Sequence, residues 1–406
     1  MTSTYIILGR EVRLKIVFNA STNIIGGGIQ TATNFIFECL ADSGSNIDWS
    51  FLLSAAVAQN LDSVGVDVSS DSRFHVFQKS PARYSEARRH ALELVTAAKP
   101  TLVYTMSGPA YVRFPAFHVM GCSAPYVTHA RLENYFSEGA IKGGFKLAES
   151  LVKLVYFHRA DHLVFQTDSS RQGFLRRGLW KVENTSVISN AVGNAFTRAL
   201  PNMKRELRGI VAADCADRHL QILIPSAYYS HKNLEIVVPT AKLLRSRIGD
   251  NFRILLTLPF NESWQRIGAA AAEAGVAAQI VNHGPFPVSD APDLYQNSSI
   301  LFLPTRLETF SASYLEAMWC GLPIVTSDLD FARDLCGEAA VYTDTLDPGE
   351  CAKAIVDLLS NRDLQKRLIS AGSKQVARFP TSHMRYQMII DLLHRLSLSK
   401  VSIHNL

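Results

Sequence analysis

The chain has 406 residues, 47% of them hydrophobic and 19% charged, with a formal net charge of +5. This composition excludes a disordered chain, and the small charge excludes a nucleic-acid binder that relies on bulk electrostatics, while leaving anionic molecules and surfaces open as partners. The length exceeds what one ordinary core fills and predicts two domains of about 200 residues each.

The charge is uneven. Residues 1–195 hold 19 Lys/Arg and 15 Asp/Glu, so 19 − 15 = +4 of the +5 lies in the first half. The cysteines are scattered and form no Cys-x-x-Cys pair, which predicts reduced, mostly buried thiols in a cytosolic protein. Glu11 and Arg13 interrupt the opening "MTSTYIILGREVRLK", so it does not read as a secretory leader. Apolar runs fall short of the ~20 residues a membrane-spanning helix needs. The expected location is the cytoplasm, with peripheral contact on the inner face of a membrane left open.

In chain order, "KIVFNA" (15–20) reads as a buried strand with a Gly-rich exit, and "TATNFIFECLADSG" (31–44) as the helix that follows it. "WSFLLSAA", "RFHVFQ", "TLVYTM", "PYVTHA", "ADHLVFQT" and "NTSVISNAV" read as further strands. This βαβ alternation predicts a parallel sheet covered by helices on both faces. Residues 201–219 are polar and read as a linker. The pattern then restarts with "LQILIPSA", "FRILLTLP", "AAQIVNHG", "SSILFLPT", "LPIVTSD" and "AAVYTD" as strands, and closes on the amphipathic helix "HMRYQMIIDLLHRLSL" after Pro380.

Gly26, Gly27 and Gly28 lie between the first strand and the first helix, where glycine allows close backbone approach to a ligand and a helix N-terminus attracts an anion. Their spacing fits neither the dinucleotide nor the P-loop fingerprint, and a simple flexible turn explains them equally well. Glu308 and Glu316 stand eight positions apart in "PTRLETFSASYLEAMWCGLPIV". Glu308 falls in a loop beyond the carboxyl end of a strand, where open α/β sheets bind ligands. Glu316 falls about two turns into a helix too apolar to lie on the surface, so its carboxylate needs a buried partner. Two such carboxylates can accept hydrogen bonds from sugar or ribose hydroxyls while the helix N-terminus near Phe310 and Ser311 faces a phosphate. A capping carboxylate beside a helix-surface glutamate is the ordinary alternative.

The segment "LETFSASYLEAMWCGLPIVTSD" resembles the E-x7-E signature of the retaining glycosyltransferases of family 4, in the glycosyl transferases group 1. "KIVFNASTNIIGGGIQT", "VISNAV", "ILIPSAYYSHKNLE" and "HGPFPVSDAPDLYQNSSILFLPT" resemble further segments of the same family, so the likeness runs over most of the chain. It implies an α/β protein of GT-B fold, with two Rossmann-like domains facing each other across a cleft. The domains would be an acceptor-binding one over 1–195, a nucleotide-sugar-binding one over 196–380, and a C-terminal helix over 381–406 returning to the first. The activity implied is a retaining hexosyl transfer from a nucleotide-sugar donor to a glycan or lipid-linked saccharide acceptor, in cell-surface polysaccharide synthesis.

By the same resemblance His129 and Glu308 are catalytic, and Gly27, Gly28, Lys232, Phe310, Ser311 and Glu316 bind the donor. No metal, cofactor or nucleic acid is implied. "SDLD" contains a literal D-x-D at Asp328 and Asp330, read here as a loop. The family's usual arginine falls on Ala227, so Lys232 is left to His231, Arg306 or backbone N–H groups for help with a diphosphate. That departure keeps a catalytically silent nucleotide-sugar-binding paralogue open, beside a GT-B enzyme of other chemistry such as an epimerase. Finally, "IKGGFKLAESLVKLVYFHR" (141–159) sets Lys142, Lys146 and Lys153 on one helical face, with Phe145, Leu151, Val152 and Val155 on or beside an apolar face. Such a helix serves either on an anionic membrane surface or packed into a core with a solvated basic edge. "FLRRGLWK" (174–181) adds positive charge.

Overall fold

The computed structural model describes residues 6–7, 10–11, 13–42, 44–177, 180–200 and 220–404. The linker read over 201–219 lies outside the described residues, as do Cys215 within it, residues 178–179 of the basic segment, and most of the first twelve positions.

The chain divides into two compact units. One takes the residues up to His129, Ala140–Asn190 and those from Thr381 onward; the other takes Ala130–Gly139 and Ala191–Pro380. In the first unit, β1 (Leu14–Ala20), β2 (Ile47–Ser54), β3 (Phe74–Phe77), β4 (Leu102–Thr105), β5 (Phe117–Cys122), β6 (His162–Phe165) and β7 (Thr185–Val187) form one sheet in the order β3-β2-β1-β4-β5-β6-β7. Every pairing in it is parallel. In the second unit, β8 (Leu220–Ile224), β9 (Phe252–Leu256), β10 (Ile280–Asn282), β11 (Ile300–Leu303), β12 (Ile324–Ser327) and β13 (Ala340–Thr343) form a second parallel sheet in the order β10-β9-β8-β11-β12-β13. Each order reverses once, between β1 and β4 and between β8 and β11. These reversals are the switch points at which crossover loops part and leave a crevice.

Both sheets are buried on both faces, which is why their strands read as near-continuous apolar runs. The pleat sends alternate side chains to opposite cores. Ile16 and Phe18 enter one core while Val17 enters the other. Ile222 and Ile224 likewise part from Leu223. Phe18 stacks on Phe35 of the helix Gly27–Ala41 with ring centroids 4.9 Å apart.

The strand read over 125–130 is a correction. Those residues form the short helix Pro125–Thr128, and the strand lies upstream as β5. Proline near a helix start has a favourable fixed φ and no N–H to satisfy, so "PYVT" turns helical despite its β-branched content. The C-terminal helix Ser382–His404 belongs to the first unit. Tyr386, Ile389 and Leu393 join the core around Phe18 and Phe35, and the Tyr386 hydroxyl donates to Asp42 Oδ2 at 2.9 Å.

Candidate active site

The second sheet's switch point gathers the charged residues singled out by sequence. The loop after β8 runs through Tyr229, His231 and Lys232; the loop after β11 runs from Pro304 to Ser311. Two bonds stitch them together. The Arg306 N–H donates to the His231 carbonyl at 2.7 Å, and the Thr305 hydroxyl donates to the same oxygen at 3.2 Å. Asn233 then turns the chain in the left-handed region, φ 53°, and its side-chain amide donates to the Thr345 carbonyl at 2.7 Å. With the backbone pinned on both sides, the Lys232 ammonium forms an ion pair with Glu308 Oε1, and both side chains are largely buried. The pair is a donor and an acceptor held side by side beyond the carboxyl ends of β8 and β11.

The helix Ala312–Cys320 follows, with Ser311 at its N-cap making no side-chain cap bond, while the Tyr314 N–H donates to the Ser311 carbonyl at 3.3 Å. The helix is tied to the sheet. The Tyr314 hydroxyl lies 2.6 Å from Thr326 Oγ1, which itself donates to the Leu303 carbonyl at 2.8 Å. Ser327 donates to the Thr305 carbonyl at 2.6 Å and fixes the same loop from below. Phe310 lies two residues before Ala312, on the outer side of the N-cap; its ring meets Phe379 edge-on at 6.2 Å and packs on the core. Its N–H is therefore not one of the helix's own, contrary to the expectation that it would be.

Glu316 does have the buried partner its setting demands. The Tyr295 hydroxyl donates to Glu316 Oε2 at 2.7 Å. Burial pushes the Glu316 carboxyl up to about 7, and the Tyr295 bond only partly opposes this. The residue keeps some exposed surface, but its carboxyl lies among protein atoms, and those surroundings govern its charge. A Cβ on Gly193 would stand 3.7 Å from Glu316 Oε1. Tyr295 and Gly193 carry no motif of their own; only the fold brings them to the glutamate.

The remaining candidates lie in the first unit. Gly26 caps the helix Gly27–Ala41 in the left-handed region, φ 69°, and a Cβ on Gly28 would come within 3.0 Å of Asn23 Nδ2. Gly27 has open space around it. His129 stands at the end of the helix Pro125–Thr128, not at a strand end as expected, because β5 has already finished at Cys122. Its Nδ1 is 2.9 Å from Thr128 Oγ1 and its Nε2 is 3.1 Å from Ser169 Oγ, which fixes the ring plane.

Asp328 of the D-x-D pairs with Arg333, and Asp330 opens the helix Asp330–Cys336. Among the described residues no three His, Cys, Asp or Glu side chains converge as a metal site would require.

Residues 216–375 match the model of the family described as glycosyl transferases group 1. A D-inositol 3-phosphate glycosyltransferase of Acidothermus cellulolyticus is 29% identical over 119 residues, which are 28% of this chain and 26% of that protein. A phosphatidyl-myo-inositol mannosyltransferase of Mycobacterium leprae is 36% identical over 84 residues, 20% of this chain and 22% of that protein. These matches thus span about a quarter of the relatives' own length. In fold the likeness is far wider. Anabaena Alr3699/HepE, solved in complex with UDP-glucose, superposes with a TM-score of 0.68 over 94% of this chain and 100% of that one, at 16% identity. Two parallel α/β units of this topology are the GT-B fold, and within the second unit the segment 216–375 matches the glycosyl transferases group 1.

Proposed function

We propose that the protein is a retaining glycosyltransferase of family 4, moving a hexosyl group from a nucleotide-sugar to a glycan or lipid-linked saccharide, in cell-surface polysaccharide synthesis at the cytoplasmic face of a membrane. The observation that carries this reading is the Lys232–Glu308 pair set beside the N-terminus of Ala312–Cys320, with Glu316 buried in that same helix. The relatives' names point the same way, two of them being transferases to inositol-containing acceptors. A UDP-sugar complex of a protein with this fold supports a nucleotide-sugar donor.

In this reading Glu316 accepts from the ribose hydroxyls, and Glu308 holds the transferred sugar. Lys232 and the helix N–H groups at Ser311 and beyond stabilise the departing diphosphate. The bond from the sugar's anomeric carbon to the diphosphate oxygen breaks, and the bond to the acceptor hydroxyl oxygen forms on the same face. The hydroxyl proton passes to the diphosphate, so no protein nucleophile is needed. His129, Gly27, Gly28 and Phe310 complete the proposed sugar and donor contacts. No metal or cofactor takes part. Ala227 favours one rival, a silent nucleotide-sugar-binding protein, because Lys232 stands without the second cation of the resemblance and is already paired with Glu308.

The test has two steps. A panel of nucleotide-sugars is screened for thermal stabilisation, where a donor at 100 times its Kd raises stability by about 2.7 kcal/mol. The donor found is then incubated with saccharide and lipid-linked acceptors in EDTA. Transfer with retained anomeric configuration supports the reading. Binding with neither transfer nor donor hydrolysis leaves the silent protein, and product of inverted configuration overturns the family assignment.

A further inference from the structure

The helix Ala140–Phe157 is amphipathic in an unusual sense: its bulky apolar residues face outward. Ile141 is 80% exposed, Phe145 74%, Val155 58%, Leu151 56% and Val152 51%. The side that enters the protein is instead made of Gly143, Ser150 and Phe157. At about 100° per residue, Ile141, Phe145, Ala148, Val152 and Val155 share one stripe about 80° wide, with Leu151 on its edge. The stripe runs for about 21 Å along the helix at 1.5 Å per residue. Lys142, Lys146 and Lys153 fall together on the flank between this stripe and the buried side. Lys146 is held over the Tyr126 ring at 5.9 Å, and Lys153 is braced by Glu149 at 2.7 Å. Phe157 and Leu154 pack on the core, but the apolar stripe is not the side by which the helix packs.

We infer that this face is a docking surface for an anionic lipid bilayer, into whose headgroup region the stripe inserts while the lysine row meets the charged headgroups. Contiguous exposed apolar surface of this kind marks an interaction site, and the adjoining row of like charge selects its occupant. A second copy of the chain on the same face would bring two lysine rows together. A bilayer of acidic lipid instead supplies both the apolar layer and the opposite charge. The helix carries three lysines against one glutamate, and the half of the chain that contains it carries +4 of the net +5. The inference deepens the membrane location in the proposed function and rests on that part of the reading, but not on the transfer activity: a protein with no activity would dock equally well through this face.

The test is sedimentation of the full-length protein with vesicles, in the absence of donor and acceptor. Vesicles of phosphatidylcholine with 30% phosphatidylglycerol (a percentage on the order used for acidic membranes) are compared with phosphatidylcholine alone. The wild type is expected to partition to the acidic vesicles at low salt and to release at ~1 M salt, where the screening length falls to about 3 Å. Phe145→Ser with Val152→Ser, both at exposed positions, is expected to weaken partitioning about tenfold, and Lys142→Glu with Lys146→Glu by a similar factor. A Phe145→Trp variant reports insertion directly, by a shift of its emission to shorter wavelength on acidic vesicles. Thermal melting checks that each variant is folded. Absence of binding to acidic vesicles, binding equal in wild type and folded variants, or a solution dimer that Phe145→Ser dissolves would each overturn the inference.

Discussion

The two sheets have the same strand order about their switch points, yet the chemistry placed there differs. At the first, Asn19 donates to Thr105 at 3.1 Å, Thr105 lies 2.7 Å from His118 Nε2, and Ser21 donates to Asn19 at 2.7 Å. This network carries no charge, since burial pushes the His118 imidazole down to about 3. At the second, a lysine and two glutamates occupy the equivalent loops and helix, and a tyrosine reaches one of the glutamates from the helix before β11. One topology therefore offers the same crevice twice, and the loops alone determine which is electrostatically active. A neutral, rigid edge suits close backbone approach to a ligand, whereas a charged edge suits a phosphate and the hydroxyls beside it.

The comparison breaks most decisively at Lys232. Lys232→Ala removes the cation and leaves the Glu308 carboxylate largely buried without its partner. Turnover is expected to fall about 10²–10³-fold, the range for loss of one preorganised electrostatic group. A loss under threefold in steady-state kinetics would place the diphosphate elsewhere.

Glu316→Ala is expected to weaken nucleotide binding about ten- to a hundredfold, because a bond to a charged acceptor is worth roughly 1.5–3 kcal/mol. The same residue makes a pH prediction. Its carboxyl is raised from the ordinary range to about 7 in the folded state. An acid raised in this way binds a proton on folding, so its contribution to stability is full below the ordinary carboxyl range and is lost as pH rises through about 7. Nucleotide binding runs in the opposite sense: ribose hydroxyls need the ionised acceptor, so affinity falls as pH drops below about 7. Glu316→Gln should abolish both dependences, as titration calorimetry and melting across pH 5.5–8.5 (a window of about 1.5 units on either side) would reveal.

His129→Gln tests the neutral side. Its ring contacts Thr128 and Ser169 within its own unit, so in the proposed reading nucleotide affinity should hold while turnover drops about tenfold, the effect of losing one hydrogen bond of roughly 1.4 kcal/mol. An equal fall in nucleotide affinity would assign the histidine to the donor and not to the chemistry. The smallest effects come from the glycines. Gly26→Ala forces a side chain into φ 69° and should cost about 1 kcal/mol in thermal unfolding. Gly27→Ala, inside a helix and with no neighbour within 4 Å, should be neutral or slightly stabilising. Any loss of transfer in Gly27→Ala therefore reports a ligand against that backbone, since the fold itself is indifferent to the change.

Much of this was legible in the sequence. Parallel strands buried on both faces must be apolar along their length, so the strand pattern of both sheets stands out, and a restart of that pattern signals a second unit. The E-x7-E spacing placed Glu308 in a loop and Glu316 in a helix, and the apolar surroundings of Glu316 demanded a partner. Which partner was not legible, because Tyr295 lies on another helix and meets the glutamate only once β11 has set the two side by side. "PYVTHA" misled because β-branched content and a proline at a helix start compete, and neighbouring β5 had already filled that place in the sheet.

By itself the sequence determined two α/β units, the strands that build them, and the charged residues of the candidate site, because burial and periodicity are written into the order of the side chains. Only the tertiary structure decided that Lys232 pairs with Glu308, that His129 ends a helix, and that Ile141 and Phe145 face outward. The physical reason is the same in each case. Periodicity defines the faces of an element, but which face is buried depends on what the rest of the chain brings against it. For the helix Ala140–Phe157 the protein is met by the small side of Gly143 and Ser150, and the apolar side is left to the surroundings.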